Sequence, residues 1–577
     1  MKKLLRYLKN YKKESILGPL FKLVEVVFEL TVPLVMASLI DDGIGKRDYS
    51  HIVTMFGVLV LLGVLGLTSA VTAQFFAAKA AAGFAKDVKH DLFAHIQTLS
   101  FAEIDKLGTD SLITRMTSDM NQVQTGVNMV LRLLLRSPFV VFGSMIMAFT
   151  IDVKAALIFV VTIPVLTAVI FGIMLWCIPR FRLVQEHLDA VLSKTRENLT
   201  GARVLRAFCK EENEIEEFND INETLTSLQK HVGRVSVLMN PVTYIIINCA
   251  IAYLIWTGAI EVSKGILTQG MVIALYNYMS QILVELIKLA NLIINMTKCI
   301  ACGNRIQSVF EVKSSMVEGS SASNEVAHEY MVEMRDVSFK YSETSGEVLE
   351  HISFTAKPGQ VIGIIGGTGS GKSSLVHLVP RYYDVTNGQV LVDGVDVKEY
   401  AYETLRSKVS VCLQKSVLFR GTIRENMQWG RKNATDEEIL EALTIAQAKD
   451  FVMEKKEGLD FVVAQDGKNL SGGQKQRLTI ARALLQQCDV LILDDTSSAL
   501  DYATDAALRK ALREMEKKIT LFVVSQRTSS IQHADCILVL DDGNLVGKGT
   551  HEELLKQCEI YREIHESQYK KEAQNER

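Results

Sequence analysis

The chain has 577 residues, of which 48% are hydrophobic and only 22% are charged. This composition is too apolar for a disordered chain and unusual for a wholly soluble one, so it favours a membrane protein. The formal net charge of −3 gives no global basic field, which argues against nucleic acid as a partner.

The first fifteen residues mix basic residues with leucine and tyrosine, which predicts an amphipathic helix at the surface of a lipid bilayer. No small-residue cleavage site follows, so a removed signal peptide is the weaker interpretation. Each of the next six apolar segments reaches the ~20 residues that cross a hydrocarbon core. They are 16–40, 54–84, 128–151, 155–178, 237–261 and 270–298. We therefore predict an all-α transmembrane domain over residues 1–311.

Lysine and arginine are unevenly distributed around these segments. Nineteen lie in the N-terminal segment and the two long loops, 85–127 and 179–236, but only four lie in the short links between spans. The positive-inside rule therefore predicts that both termini and both long loops are cytoplasmic. The long loops keep apolar residues at helical spacing, so we expect helices that extend well into the cytoplasm.

Among the charged residues that fall within the predicted spans are two pairs at helical spacing, Glu25 with Glu29 and Glu285 with Lys288. Charge inside a membrane is costly, so each is a candidate functional residue. Two structural alternatives stay open: the first two glutamates can lie near the interface or pair with Lys22, and the last two residues can pair with each other along one helix. These residues do not identify a substrate.

The cysteines predict neither disulfides nor a metal site. There are nine, scattered and odd in number, unlike a secreted disulfide framework. Cys299 and Cys302 form one CxxC at helical spacing, without a second pair or nearby histidines. Two residues on one helix face are therefore the better interpretation.

The composition changes at residues 312–329 to Ser, Glu and Ala, which predicts a linker. Beyond it, short β-type runs alternate with helical stretches, which predicts an α/β domain over 330–577.

A predicted strand, 361–365, runs into a glycine-rich segment that matches GxxxxGK[ST]. Glycines in this pattern let backbone N–H groups surround phosphate oxygens, Lys372 reaches the outer phosphates, and the Ser373 hydroxyl can ligate Mg²⁺. The candidate phosphate-binding residues are Gly366, Gly367, Thr368, Gly369, Ser370, Gly371, Lys372, Ser373 and Ser374.

Two further motifs follow. LILD, 491–494, is an apolar strand that ends in Asp494, a carboxylate suited to hold the metal directly or through water, and Asp495 comes next. Between the P-loop and this strand lies LSGGQKQR, 470–477, which predicts a helix start and in isolation could be a mere cap.

The P-loop, LSGGQ and LILDDTSSALD, in this order, resemble the nucleotide-binding domain of ATP-binding cassette (ABC) proteins. LITRMTSDM, 112–120, and ENLTGARVLRAF, 197–208, resemble intracellular loops of ABC exporters. The resemblance implies a half-transporter that dimerises and sandwiches each ATP between the P-loop of one chain and the LSGGQ of the other. It further implies that Tyr341 stacks on adenine, that Gln414 joins the metal to the transmembrane interface, and that Asp501 belongs to the D-loop. Ser471, Gly472, Gly473 and Gln474 then face the ATP bound by the partner.

Two positions depart from the family pattern. Asp495 stands where a glutamate usually positions or deprotonates the attacking water, and it is one methylene shorter. Gln526 stands where a switch histidine is usual; it can hydrogen-bond a γ-phosphate but cannot carry imidazolium charge. Gln465 and Asp466 likewise replace a Glu that commonly precedes Arg-Gly. The P-loop is intact, so the changes at Asp495 and Gln526 predict a site that binds ATP and hydrolyses it poorly. The change at Gln465 and Asp466 predicts altered communication with the loops of the partner.

The resemblance thus implies the degenerate-site subunit of a bacterial heterodimeric multidrug exporter, using ATP and Mg²⁺ and moving small amphipathic or lipid-like compounds across the plasma membrane. Two alternatives stay open: a homodimer with two slow sites, and a nucleotide-gated channel or regulator. The predicted spans contradict a soluble ABC ATPase of repair or translation.

Overall fold

The computed structural model describes residues 1, 3–320, 328–343, 345–515 and 517–575. Lys2 of the predicted surface helix and residues 321–327 of the predicted linker lie outside the described residues. The chain forms two compact units, Met1–Gln97 with Gly108–Val312, and Thr98–Leu107 with Lys313–Arg577. The predicted transmembrane domain, 1–311, includes Thr98–Leu107, which the structure places in the second unit. The predicted domain boundaries at 311 and 330 stay predictions.

The first unit is helical throughout. A 3₁₀ helix, Leu4–Tyr11, leads into the first long helix, and π-helical turns occupy Leu39–Ile44 and Arg115–Asp119. The first ten α-helices in chain order are α1 Lys12–Ser38, α2 Tyr49–Gln97, α3 Phe101–Leu107, α4 Thr109–Thr114, α5 Met120–Leu133, α6 Arg136–Ile151, α7 Val153–Thr200, α8 Ala202–Ala207, α9 Glu211–Ser263 and α10 Gln269–Glu311. All of them except α3, which belongs to the second unit, lie in the first unit.

The longest helices exceed the width of a membrane. α2 has 49 residues, or about 70 Å at 1.5 Å per residue, against a hydrocarbon core of ~30 Å. α7 and α9 have 48 and 53 residues. These lengths agree with the prediction that the spans continue as helices beyond the bilayer.

The prediction of six spans needs a correction. Among the described residues, five helical segments are long and apolar enough to cross a membrane, by length and composition: Leu4–Ile44, Tyr49–Gln97, Thr109–Ile151, Val153–Thr200 and Glu211–Ser263. The sixth predicted span, 270–298, lies on α10, which is not among them. α10 differs physically because much of it is enclosed by other helices, and its buried face includes the charged residue Glu285. Cys299 and Cys302 also lie on this helix and are buried.

The charged residues of the first unit form a network that joins three helices. Arg136 on α6 is 7% exposed; it donates to Glu29 on α1 at 2.7 Å and also to Glu285 on α10. Lys288 donates to Glu285 at 2.8 Å, which matches the pairing along one helix considered above. Lys22 likewise pairs with Glu25, at 2.5 Å. Arg136 was missed from the sequence, although an arginine inside the predicted span 128–151 was an available signal.

The second unit is an α/β domain, as predicted. Its strands are β1 Val332–Phe339, β2 Leu349–Ala356, β3 Val361–Gly366, β4 Asn387–Val392, β5 Val395–Asp396, β6 Val409–Cys412, β7 Gly421–Thr422, β8 Val462–Val463, β9 Val490–Asp494, β10 Thr520–Val524, β11 Cys536–Asp541 and β12 Asn544–Gly549. Its helices after α3 are α11 Lys372–Leu378, α12 Tyr402–Lys408, α13 Ile423–Gln428, α14 Asp436–Ile445, α15 Lys449–Met453, α16 Gly472–Leu485, α17 Tyr502–Arg513, α18 Thr528–Ile531, α19 His551–Gln557 and α20 Glu559–Asn575.

The main sheet has the order β12-β11-β3-β10-β9-β6, with β12 antiparallel and the other strands parallel. Every residue of β9 and β10 is buried, as expected for strands covered on both faces. A smaller antiparallel sheet has the order β2-β1-β4-β5. Because parallel strands end at the same edge, the residues after β3, β9 and β10 meet there.

The short helix α3 is packed within the second unit. The Tyr383 hydroxyl donates to the Asp105 carboxylate at 2.7 Å. The ring of Phe101 lies 4.8 Å from that of Tyr382, centroid to centroid. Aromatic packing and one hydrogen bond therefore hold a segment of the first long loop against the α/β domain.

Candidate functional site

The P-loop connects β3 to α11, as predicted. Gly371 has a φ of +91°, and a Cβ there would lie 2.9 Å from the Val348 carbonyl oxygen, so the position requires glycine. The Lys372 Nζ is largely buried and donates to the carbonyl oxygens of Gly366 and Gly367 at 3.0 and 2.5 Å. Burial lowers the pKa of Lys372, while the nearby carboxylates of Asp495 and Asp494 act in the opposite direction.

The residues predicted to hold Mg²⁺ lie together. The Ser373 hydroxyl donates to Asp494 Oδ1 at 2.9 Å, and Asp494 is 1% exposed. Hydroxyl and carboxylate oxygens are hard donors, which suits Mg²⁺. Among the described residues no group of three or more His, Cys, Asp and Glu could hold a metal. Mg²⁺ bound with a nucleotide needs no such cage, since phosphate oxygens and water complete its shell. The side chains present therefore fit the ion.

His377 was not singled out from the sequence. It lies one turn after Ser373 on α11, and its Nε2 is 3.4 Å from Asp494 Oδ2. The two oxygens of the predicted metal ligand thus face two side chains at i and i+4 on one helix face.

The predicted base sits in a strained conformation next to the metal ligand. Asp495 has a φ of +47°, in the left-handed region that is uncommon for residues other than glycine. Its Oδ2 accepts a hydrogen bond from Gln414 Nε2 at 3.3 Å. Burial, followed by repulsion from Asp494, raises the pKa of Asp495. A direct hydrogen bond thus joins Asp495 and Gln414, two of the predicted functional residues.

A cleft of about 320 Å³ brings the predicted nucleotide residues together. It is lined by Tyr341, Val348, Thr368, Gly369, Gly371, Lys372, Ser373, Ser374, Gln414, Asp495, Val524 and Gln526. The Tyr341 hydroxyl and the Ser374 hydroxyl are 2.8 Å apart, so the aromatic residue is tied to the P-loop helix. Ser370 is buried beside the Lys372 amine, at 3.4 Å.

The LSGGQ residues lie elsewhere. Among the residues that the structure describes, none of Ser471, Gly472, Gly473 and Gln474 lines the cleft. Ser471 is exposed and begins α16 with a capping box, in which its hydroxyl accepts from the Gln474 N–H and the Gln474 side chain accepts from the Ser471 N–H. Asp501 caps α17 in a similar way, accepting from Thr504 N–H at 2.8 Å. Within this chain, the P-loop half of the predicted ATP sandwich forms the cleft, and the LSGGQ half lies outside that cleft.

Comparison with known families supports both halves of the chain. Residues 15–286 match the family described as ABC transporter transmembrane region, and residues 349–498 match the family described as ABC transporter.

Individual proteins resemble it over most of their length. The ABC transporter ATP-binding protein YfiB of Bacillus subtilis is 36% identical over 577 residues, which cover 99% of each chain. An ATP-dependent lipid A-core flippase of Desulfotalea psychrophila is 33% identical over 477 residues, or 82% of each chain. A solved bacterial Atm1-family ABC exporter with ATP bound has a TM-score of 0.77 at 22% identity, covering 96% of this chain and 98% of that chain. This last likeness concerns the fold.

Proposed function

The chain belongs to the ABC transporters, and from that premise we propose that it is one subunit of an ATP-driven exporter for small amphipathic or lipid-like compounds. The apolar helices and the similarity to a lipid A-core flippase support this substrate class. The distribution of Lys and Arg supports placing both termini and the nucleotide-binding domain in the cytoplasm. The membrane is proposed to be the plasma membrane of a bacterium.

The observation that carries the proposal is the separation of the P-loop cleft from the LSGGQ helix. The cleft holds Lys372, Ser373, Gln414 and Gln526, whereas Ser471 is exposed outside it. A nucleotide in this cleft therefore lacks an LSGGQ contact unless a second chain supplies one. The partner is proposed to be another half-transporter, with which this chain exchanges LSGGQ segments.

Exposed apolar side chains on the part of the first unit that is proposed to be cytoplasmic support such a partner. Helix α8 has no buried residue, Val204 on it is 60% exposed, and Phe208 just after it is 72% exposed. Contact with a partner chain would remove these two apolar side chains from water, which is favourable.

The ATP site built on the P-loop of this chain is proposed to be degenerate, which means that it hydrolyses ATP poorly. The site built on the P-loop of the partner is proposed to have the consensus residues. The Asp495 carboxylate is short and already bonded to Gln414, and Gln526 occupies the switch position. Both limit the alignment of an attacking water, since general-base catalysis requires hydrogen-bond distance to the proton. The partner then carries the glutamate and histidine, and Ser471 of this chain completes its site.

The side chains of this site have separate roles in the proposed cycle. Lys372 and the P-loop N–H groups hold the phosphates of ATP, and Tyr341 holds the adenine ring by stacking. Ser373, Asp494 and Gln414 would hold Mg²⁺, which neutralises charge that develops on the phosphates. Closure of two nucleotide domains around ATP then shifts the long helices and switches the central cavity between the two sides of the membrane.

Transport in inside-out vesicles tests the proposal. This chain is co-produced with a half-transporter that carries Glu after its metal-binding Asp and a His in its switch. We expect uphill accumulation of an amphipathic dye that requires both chains and hydrolysable ATP. Accumulation by this chain alone would favour the homodimer. Downhill flux that ATP opens without hydrolysis would contradict an exporter and favour a channel.

A further inference from the structure

The switch position is bonded to the C-terminal helix. Gln526 lies in the loop between β10 and α18, and Gln568 on α20 makes three hydrogen bonds to this loop. The Gln568 Nε2 donates to the Gln526 backbone oxygen at 2.7 Å. The Gln568 Oε1 accepts from the Thr528 N–H at 2.9 Å and from the Thr528 hydroxyl at 3.0 Å. One side-chain amide thus bridges the residues on both sides of Arg527.

These bonds satisfy groups that the loop cannot satisfy itself. Thr528 is fully buried and is the first residue of α18, where backbone N–H groups have no partner within the helix. The residue before it, Arg527, provides no side-chain cap. Gln568 therefore serves as a cap supplied from a distant part of the chain.

The opposite side of the loop is held by other contacts. The Arg527 guanidinium lies 4.7 Å from the centre of the Tyr502 ring, and the Arg527 N–H donates to the Ser525 hydroxyl at 3.0 Å. The Ser525 hydroxyl is in turn 3.0 Å from that of Ser497. Loss of the Gln568 bonds would leave the main chain of Gln526 fixed on one side only.

We propose that Gln568 is a positioning residue for the nucleotide site. By fixing the main chain at Gln526 and Thr528, the C-terminal helix sets the reach of the Gln526 side chain toward a γ-phosphate in the cleft. This inference rests on the proposed function, because it takes the cleft to bind ATP. It predicts that α20 contributes to the preference of this site for ATP over ADP.

The experiment compares ATP and ADP affinities of the full-length chain in lipid nanodiscs. We expect Gln568→Ala to reduce the preference for ATP about five- to tenfold, the size of one ordinary lost hydrogen bond, with little change in ADP affinity. Gln526→Ala should give a similar loss, and the double variant no more than either, because both remove one contact. Gln568→Glu keeps the acceptor for Thr528 but loses the donor, so its loss should be intermediate. Ser567→Ala is the matched control, since that hydroxyl donates to its own helix at Ile564.

Hydrogen exchange of residues 525–530 provides a second readout that needs no nucleotide. Exchange should be faster in Gln568→Ala and unchanged in Ser567→Ala. The inference is overturned by an unchanged ATP preference in Gln568→Ala, by equal losses of ATP and ADP affinity, by additive losses in the double variant, or by unchanged exchange. Failure of the proposed function is a different result, in which Lys372→Ala binds ATP as tightly as the unmodified chain.

Discussion

At the scale of single residues, Asp495 and Gln526 are where substitution is expected to restore hydrolysis. Asp495→Glu lengthens the side chain by one methylene toward the attacking water, and Gln526→His replaces an uncharged amide with an imidazole that can carry positive charge beside the γ-phosphate. We expect the first change to raise turnover at this site modestly, about two- to fivefold, and the pair to raise it further, because alignment by the partner still limits the rate.

The measurement is ATPase activity of the heterodimer with the catalytic glutamate of the partner changed to glutamine, which silences the consensus site. A double variant that stays at background would place the defect in the half of the site that the partner supplies. Fast hydrolysis by the unmodified chain in this setting would show that Asp495 is a competent base.

At the scale of elements, α16 has two separable properties, its cap and its exposed serine. Ser471→Ala removes a capping hydroxyl, which costs about 0.5–2 kcal/mol, and also the proposed contact with the γ-phosphate of the partner. Thr435 begins α14 with the same kind of capping box and is not part of the proposed site, so Thr435→Ala is a matched control. We expect a loss of heterodimer ATPase of more than about tenfold for Ser471→Ala and little change for the control. Equal rates in both variants would contradict the assignment of LSGGQ.

The charged network joining α1, α6 and α10 gives a prediction about stability. Arg136→Ala leaves Glu29 and Glu285 without their shared partner, and Glu285 is 3% exposed. Breaking a buried ion pair on one side costs at most about 3–5 kcal/mol, and Glu285 keeps its pair with Lys288, so we expect a smaller loss that still lowers the thermal unfolding midpoint in detergent. Lys154→Ala is the control. Lys154 pairs with Glu261, but the lysine side chain is 75% exposed, so this ion pair should contribute little to stability. Similar midpoints for both variants would show that the network is not stabilising.

These elements also show how far the sequence could lead. The strand before the P-loop, the helix after it and the buried strand ending at Asp494 were predictable because glycine spacing and apolar runs are local signals. The bonds of Arg136 and Gln568 were not, since they join residues forty or more positions apart and no motif marks either residue. The sixth span was misjudged: the segment 270–298 reaches spanning length, but it lies on α10, whose buried face includes Glu285, and α10 is not among the helices that are long and apolar enough to cross a membrane.

At the scale of the whole molecule, the proposed heterodimer has two unequal ATP sites, and the P-loop lysines can distinguish them. Lys372→Ala should weaken ATP binding in the cleft described here, because the amine lies among the P-loop carbonyl oxygens where phosphates would bind. Most turnover is expected on the P-loop of the partner. Steady-state ATPase should therefore fall by less than about threefold in Lys372→Ala, but by more than about tenfold when the equivalent lysine of the partner is replaced. The comparison is made on heterodimers purified through a tag on each chain, so that homodimers do not contribute. Equal and complete losses from the two substitutions would indicate two equivalent sites, and the degenerate assignment of Asp495 and Gln526 would then be wrong.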